Sequence, residues 1–157
     1  MSLMKLDATD RRILTELQKH GRLSNVELSA RVNLSPSPCL ARVKALEKSG
    51  AIDRYVALVK PEVLGLGLSV FIQVTLERQT EKGLADFESR MLAFDEVMEC
   101  YLMTGDSDYL VRLVVADINS LQRFIVRELT TILGVANIKS SFALKQVKYK
   151  TALPVGI

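Results

Sequence analysis

The sequence predicts an α+β protein in which a winged helix-turn-helix precedes a ferredoxin-like βαββαβ sandwich. Capped helix starts at Ser24 and Ser35 lie close together, and only a tight turn around Asn33 separates the two helices. Farther along the chain, strand and helix patterns follow one another in the order β-α-β-β-α-β. These patterns place a first domain at residues 1–60, a linker at 61–67 and a second domain at 68–157.

Two short helices are predicted to open the first domain. Asp7 is placed to cap a helix that continues to about Lys19. Ser24 is the N-cap of the second helix, and Glu27 three residues later completes a capping box. We expect this second helix to continue to about Val32.

The third helix, predicted at 36–48, is the one that can enter a DNA major groove. Ser35 caps it, and Pro36 takes the first helical position, where its missing N–H costs nothing. The partly alternating segment 52–59 is expected to form the short β-element, or wing, of such a unit. The side of the third helix that packs on the first two is predicted to consist of Leu40, Val43 and Leu46.

The second domain has the periodicity of a sheet with two helices. Helical spacing marks one helix around Phe87, and Asp117 caps another that is closed by Gly134. Alternating or continuous apolar runs mark the strands. The predicted strands are 68–77, 97–103, 109–116 and, as one strand or a pair, 135–149.

Charge is distributed unevenly along the chain. Residues 1–60 hold 11 Lys and Arg against 6 Asp and Glu, whereas residues 61–157 hold 10 against 12, for a net charge of +3. A basic first domain favours a polyanionic partner, here double-stranded DNA. The residues predicted to contact DNA are Ser35, Ser37, Pro38, Ala41, Arg42, Lys44 and Lys48 on the third helix and Arg54 after it.

These residues also limit how the DNA sequence is read. The helix offers small side chains to the bases and cations to the phosphates, so readout is expected to depend on DNA shape and bending. The alternative is that three short helices form only a packing or protein-docking module.

A polar loop between two predicted strands is the candidate binding site of the second domain. Gly105 allows positive φ and a close approach of a ligand to the backbone. Asp106 and Asp108 can accept hydrogen bonds from an ammonium group. An ordinary hairpin turn explains the same residues, so both interpretations stay open at this point.

Three runs of sequence carry a family resemblance: SNVELSARVNLSPSPCLARVKALEKSG, TGDSDYLVRLVVAD and KSSFALKQVKYKTALP. Together they resemble the leucine-responsive/asparagine (Lrp/AsnC) family of prokaryotic transcription regulators, from Leu6 to about Pro154. The resemblance implies a sandwich of the dimeric αβ-barrel type that forms at least a homo-dimer and commonly an octamer. It also implies a sequence-specific DNA-binding regulator whose assembly and DNA affinity respond to a small amino acid.

The same resemblance implies where that effector binds. In this family a Gly-Asp-x-Asp-Tyr loop lines a cleft between sandwich domains. The loop carries over to Gly105, Asp106, Asp108 and Tyr109, with Thr104 and Ser107 beside them. The last strand of a neighbouring subunit often completes the pocket, and Ser140 and Ser141 stand there where many members have threonine.

Two other functions are weighed against this one. Sirohaem decarboxylases are similar to the family and use histidine, but the one histidine of this chain is His20 in the first domain. We therefore expect no enzyme, since the second domain has no imidazole for acid–base work. A metabolite-sensing subunit that does not bind DNA would not need Arg42, Lys44 and Lys48.

Composition bears on the remaining classes. No run of about 18 apolar residues is present, so no membrane span is expected. The first residues have no apolar core typical of a secretory signal. Cys39 and Cys100 fit neither a disulfide framework nor a zinc motif, which favours a reducing cytoplasm. No metal or other cofactor is expected, because the two loop aspartates have no third ligand nearby.

Overall fold

The computed structural model describes residues 5–156, which form two compact units. The helical unit consists of the described residues 5–58 and 147–156, and the sheet unit consists of residues 59–146. The predicted second domain included residues 147–157. The structure instead packs the described part of that segment with the helical unit, because the side chains of Arg11 and Gln18 bind its main chain.

The helical unit contains α1 (Ala8–Lys19), α2 (Asn25–Arg31) and α3 (Pro36–Lys48). The first two helices begin with capping boxes, Asp7 with Asp10 and Ser24 with Glu27. Asn33 has a φ of 56°, which supplies the sharp turn between α2 and α3. The buried core of the unit consists of Ile13, Leu28, Val32, Cys39 and Leu46.

The predicted inner face of α3 is partly wrong. Leu40 is 42% exposed, whereas Cys39 is fully buried together with Leu46. Cys39 and Leu46 are seven residues apart and therefore lie on the same side of the helix, while Leu40 lies about 100° away. The thiol fills the position that the larger side chain was expected to take.

The predicted β-element at 52–59 is also wrong. Residues 53–60 have no helical or strand hydrogen bonding, and no described strand lies alongside them in the helical unit. A strand needs a neighbouring strand for its main-chain groups, so an alternating pattern alone does not produce one. The large apolar side chains of segment 53–60 remain exposed: Tyr55, Val56, Leu58 and Val59.

The sheet unit confirms the ferredoxin-like βαββαβ order. Its elements are β1 (Leu68–Leu76), α4 (Glu81–Ala93), β2 (Val97–Leu102), β3 (Tyr109–Val115), α5 (Ile118–Arg127) and β4 (Val135–Phe142). The four strands form one antiparallel sheet in the order β2-β3-β1-β4. Single turns of 3-10 helix occur at Pro61–Leu64, within the predicted linker, and at Leu129–Thr131.

Both helices of this unit pack on one face of the sheet. Phe87 and Met91 of α4 and Leu121 and Phe124 of α5 share a core with the strand residues of that face. We call the other face of the sheet the open face. It carries Ser69, Phe71, Gln73, Glu99, Tyr101, Leu110 and Arg112.

Phe142 of β4 does not share the open face with Phe71 and Tyr101. The register pairs Phe142 with Val70, a buried core residue, so Phe142 belongs to the helix-covered side at the edge of the sheet. Within the described residues, every helix is too short or too polar to cross a bilayer.

Candidate DNA-binding face and effector loop

The outward side of α3 is a continuous exposed strip. Ser37, Ala41, Lys44 and Lys48 recur at helical spacing and are all exposed. Pro38 and Ala45 flank the strip on one side, and Leu40 flanks it on the other. The strip combines small side chains with two cations, which is the arrangement predicted for a helix lying against DNA.

The start of α3 is fixed from α2. The side-chain Nδ2 of Asn25 donates to the carbonyl oxygen of Pro36 at 2.8 Å, across the turn of the helix-turn-helix. Ser35 occupies the N-cap with extended backbone, but its hydroxyl makes no capping hydrogen bond. The hydroxyl therefore stays available at the positive end of the helix dipole.

Arg42 forms two ion pairs that the sequence did not predict. Its Nη1 donates to Asp7 at 2.7 Å and to Asp10 at 2.8 Å, both at the start of α1. These bonds raise the pKa of Arg42, with Asp7 as the larger contributor, and they tie α3 to α1. The guanidinium thus pairs within the helical unit, and Lys44 and Lys48 are the cations left on the exposed strip of α3.

Arg54 lies beyond α3 in the segment without regular structure. Its side chain is 77% exposed, and among the described residues it pairs with the neighbouring carboxylate of Asp53 at 3.3 Å. An exposed pair of this kind is weak, so the guanidinium can exchange partners readily.

Asp108 is a buried residue of the loop between β2 and β3, the candidate effector site. It is 5% exposed, and its Oδ2 accepts a hydrogen bond of 2.6 Å from the N–H of Leu76 at the end of β1. Its Oδ1 accepts another from the amide of Gln79. Because both oxygens are engaged, Asp108 positions the loop against β1. The sequence did not predict this structural role.

Tyr109 is likewise directed into the core. Its ring contacts Phe87 at a centroid distance of 4.4 Å, and its hydroxyl donates to Glu88 of α4 at 2.9 Å. Burial raises the pKa of Tyr109, and the carboxylate of Glu88 raises it further. Tyr109 therefore links β3 to α4 from within the core, whereas the family resemblance implies that it lines the ligand cleft.

The tip of the loop is the part that a ligand can reach. Thr104, Gly105 and Asp106 are exposed, and Ser107 is half-buried. Gly105 has a φ of 123°, a conformation that side-chain-bearing residues rarely adopt. Within residues 5–156, the N–H groups of residues 104–107 donate to no other group, so they remain free to bind an anion.

Ser140 lies away from this loop within one chain. Ser140 is on the edge strand β4, where it pairs with Ile72 of β1. Strand β1 separates β4 from β3, and β3 is the strand that follows the loop. A pocket that includes both therefore needs a second copy of the chain. Across the described range 5–156, no group of three or more His, Cys, Asp or Glu is arranged to hold a metal ion.

Comparison with known sequences identifies both units. A winged helix-turn-helix DNA-binding family model matches residues 6–53, and the model of the Lrp/AsnC ligand binding domain matches residues 69–153. The chain belongs to the Lrp/AsnC family. It is a transcriptional regulator with a winged helix-turn-helix DNA-binding unit and an Lrp/AsnC ligand-binding unit.

Relatives cover nearly the whole Lrp/AsnC chain. The Bkd operon transcriptional regulator of Pseudomonas aeruginosa is 45% identical over 98% of this chain and 100% of its own. The leucine-responsive regulatory protein of Escherichia coli is 41% identical over 96% of this chain and 92% of its own. The solved structure of a Neisseria meningitidis transcriptional regulator with L-Met is 44% identical in sequence. The match covers 96% of this chain and 97% of that one, with a TM-score of 0.92.

Proposed function

We propose that this Lrp/AsnC regulator binds duplex DNA as a homo-oligomer through the exposed strip of α3, under the control of a free apolar amino acid. The observation that carries the proposal is the strip itself, in which Ser37, Ala41, Lys44 and Lys48 are exposed side by side. A helix with this surface can approach the bases closely while its cations reach phosphates on either side.

The start of α3 adds a phosphate contact. The free hydroxyl of Ser35 and the N–H of Ser37 lie at the positive end of the helix, where they can bind an anion; Pro36 and Pro38 have no N–H, and the N–H of Cys39 donates to Ser35. Arg54, exposed beyond the helix, supplies a further cation. Arg42 contributes indirectly, because its ion pairs with α1 hold α3 in place.

Sequence preference is expected to be moderate. The described strip has no arginine or amide side chain free to form bidentate bonds with guanine or adenine. Leu40 and Ala41 offer apolar contact to thymine methyl groups, and the remainder of the preference comes from DNA shape.

The effector is held by the tip of the loop. Asp106 is the exposed carboxylate that can accept hydrogen bonds from an α-ammonium group, and the free N–H groups of residues 104–107 can bind the α-carboxylate. Asp108 and Tyr109 hold this tip rigid from behind. The names of relatives point to leucine and methionine, so we propose an apolar side chain for the ligand.

The open face of the sheet is the proposed surface of assembly. It presents the half-buried Phe71 and the exposed Tyr101 beside the Glu99–Arg112 ion pair, whose Nη2–Oε1 distance is 2.7 Å. A sheet with one uncovered face favours packing on a second copy. We propose a dimer through this face, and an octamer by analogy with the family.

The function is regulation and not catalysis. The sheet unit has no histidine, since His20 is the one histidine of the chain, so a decarboxylase that works through imidazole has no acid–base group there. A regulator of this kind works in the cytoplasm, where DNA and free amino acids are both present.

Selection of genomic fragments by the purified protein tests the proposal. Sheared genomic DNA is incubated with the full chain at two salt concentrations, with no amino acid, with L-leucine or with L-methionine. We expect a limited set of fragments to be retained, and the set or its occupancy to change with an apolar amino acid. Retention of no fragment above random sequence, in all conditions, would refute the proposal.

A further inference from the structure

The described C-terminal segment, residues 151–156, lies on α1 of the helical unit. The side-chain amide of Gln18 forms two hydrogen bonds with the main chain of Leu153. Its Nε2 donates to the carbonyl oxygen at 3.2 Å, and its Oε1 accepts from the N–H at 2.6 Å. Gln18 therefore pairs with the segment as a neighbouring strand would.

A second anchor lies two turns earlier on the same face of α1. The Nη1 of Arg11 donates to the carbonyl oxygens of Val155 and Gly156, at 2.7 and 2.9 Å. Arg11 and Gln18 are seven residues apart, so both side chains project from one side of the helix. All four bonds involve the main chain of the segment.

Packing supports these bonds. Val155 is half-buried, whereas Leu153 is 75% exposed. A groove of about 720 Å³ lies beside the segment and is lined in part by Leu14, Leu17 and Ile52. Leu153 precedes Pro154, and a residue before proline favours an extended backbone. The hydrogen bonds from Gln18 and Arg11 require this extended conformation.

We infer that residues 151–156 act as a clasp that gives the DNA-binding helical unit its second attachment to the rest of the protein. The chain leaves this unit after Leu58 and returns to it at Val147. With the clasp docked, two chain connections restrict the unit. With the clasp released, one connection remains, through a segment without regular structure at 53–60.

This attachment matters for an oligomer that binds DNA with several units, so the inference rests on the proposed function. The affinity gained from a second unit depends on its effective concentration, which falls when the tether becomes looser. Release of the clasp should therefore weaken DNA binding by the oligomer without removing any contact to DNA.

The test compares Gln18→Ala and Gln18→Glu with Gln122→Ala, a matched change of an exposed glutamine on α5. Hydrogen exchange at the Leu153 amide and trypsin cleavage after Lys150 report release of the clasp. We expect both rates to rise at least tenfold in Gln18→Ala. Both rates in Gln18→Glu should lie between those of wild type and Gln18→Ala, because the glutamate keeps the acceptor for the Leu153 N–H and loses the donor to the Leu153 carbonyl.

DNA affinity of the same full-length proteins decides the functional part. We expect Gln18→Ala to bind about tenfold more weakly than wild type, with the same salt dependence because no charge is removed. Gln122→Ala should bind as wild type. A Leu153 amide that stays protected in Gln18→Ala, or a released clasp with wild-type affinity, would overturn the inference. A wild-type protein that binds no DNA would refute the proposed function instead.

Discussion

The Nη1 atom of Arg42 on α3 lies 2.8 Å from Oδ1 of Asp10, whose side chain is 7% exposed in the first turn of α1. The same nitrogen lies 2.7 Å from Asp7, the N-cap of α1. The hydrogen bond within the capping box lowers the pKa of Asp7 most, and Arg42 lowers it further. The contact joins the proposed DNA-contacting helix to the helix beneath it, so stability and DNA binding depend on one side chain.

Removal of this contact should first affect stability. Arg42→Ala leaves the nearly buried Asp10 carboxylate without its cation, and an unpaired buried charge is unfavourable. We expect a lower urea midpoint for the helical unit, measured by circular dichroism, while Lys44→Ala keeps the wild-type midpoint. An Arg42→Ala protein as stable as wild type would show that the ion pairs contribute nothing.

Lys44 and Lys48 should determine the salt dependence of DNA binding. Each exposed cation that contacts a phosphate releases about one counterion, so each alanine variant should reduce the slope of log K against log salt by about one per protomer. Fluorescence anisotropy at four salt concentrations measures the slope. Lys82→Ala, which removes an exposed cation from α4 of the sheet unit, is the control. Unchanged slopes for both α3 variants would place the DNA contact elsewhere.

The two loop aspartates should behave differently. Asp106→Asn removes an exposed carboxylate from the proposed ammonium site, so L-methionine or L-leucine should bind about 10–100-fold more weakly by calorimetry, with the fold intact. Asp86→Asn, a matched exposed position on α4, should bind normally. If Asp106→Asn and Asp86→Asn bound the amino acid with equal affinity, the effector would bind elsewhere than at the loop.

Asp108→Ala should act on stability. The change leaves the N–H of Leu76 without its acceptor, which costs about 1–3 kcal/mol when the group is buried. The free energy of unfolding of the sheet unit, measured in urea, should fall by that amount. A variant that unfolds as wild type but loses the effector would make Asp108 a ligand-contacting residue after all.

Cys100 should react slowly with alkylating reagents near neutral pH. Burial and the charge of Glu88 raise the pKa of its thiol to about 11 from an ordinary 9.0. At pH 8 about one thiol in a thousand is then ionised, so iodoacetamide should react about a hundredfold more slowly than with an ordinary thiol. The rate should rise steadily with pH up to about 11. A fast reaction at pH 8 in folded protein, compared with the urea-unfolded control, would contradict this.

Local rules predicted much of this fold from the sequence. Capping residues such as Ser24 and Asp117 fix helix starts by bonds within four residues, and the alternation along β1 follows from one buried face. These signals act over short distances, so a single sequence contains them. The same holds for Asn33, whose φ of 56° gives the turn between α2 and α3.

Long-range partners explain what the sequence did not predict. The sequence predicts Arg42 as a phosphate contact, and only the fold shows Asp10 of α1 beside it. The sequence predicts Asp108 as a ligand contact, and only the fold shows that Leu76 and Gln79 donate to its carboxylate. In both cases a charged residue in a functional motif serves the scaffold. The segment 52–59 does not form the predicted strand for a related reason, since the described part of its unit contains no second strand to pair with it.

Amino-acid binding and DNA binding are proposed to be coupled in this one protein, and reciprocal titration measures that coupling. The DNA affinity of the full chain is measured with and without saturating L-methionine or L-leucine, and the affinity for that amino acid is measured with and without DNA. We predict that the two ratios are equal and correspond to a coupling of about 1–3 kcal/mol. DNA binding that is identical with and without every amino acid, at millimolar concentration, would contradict the account.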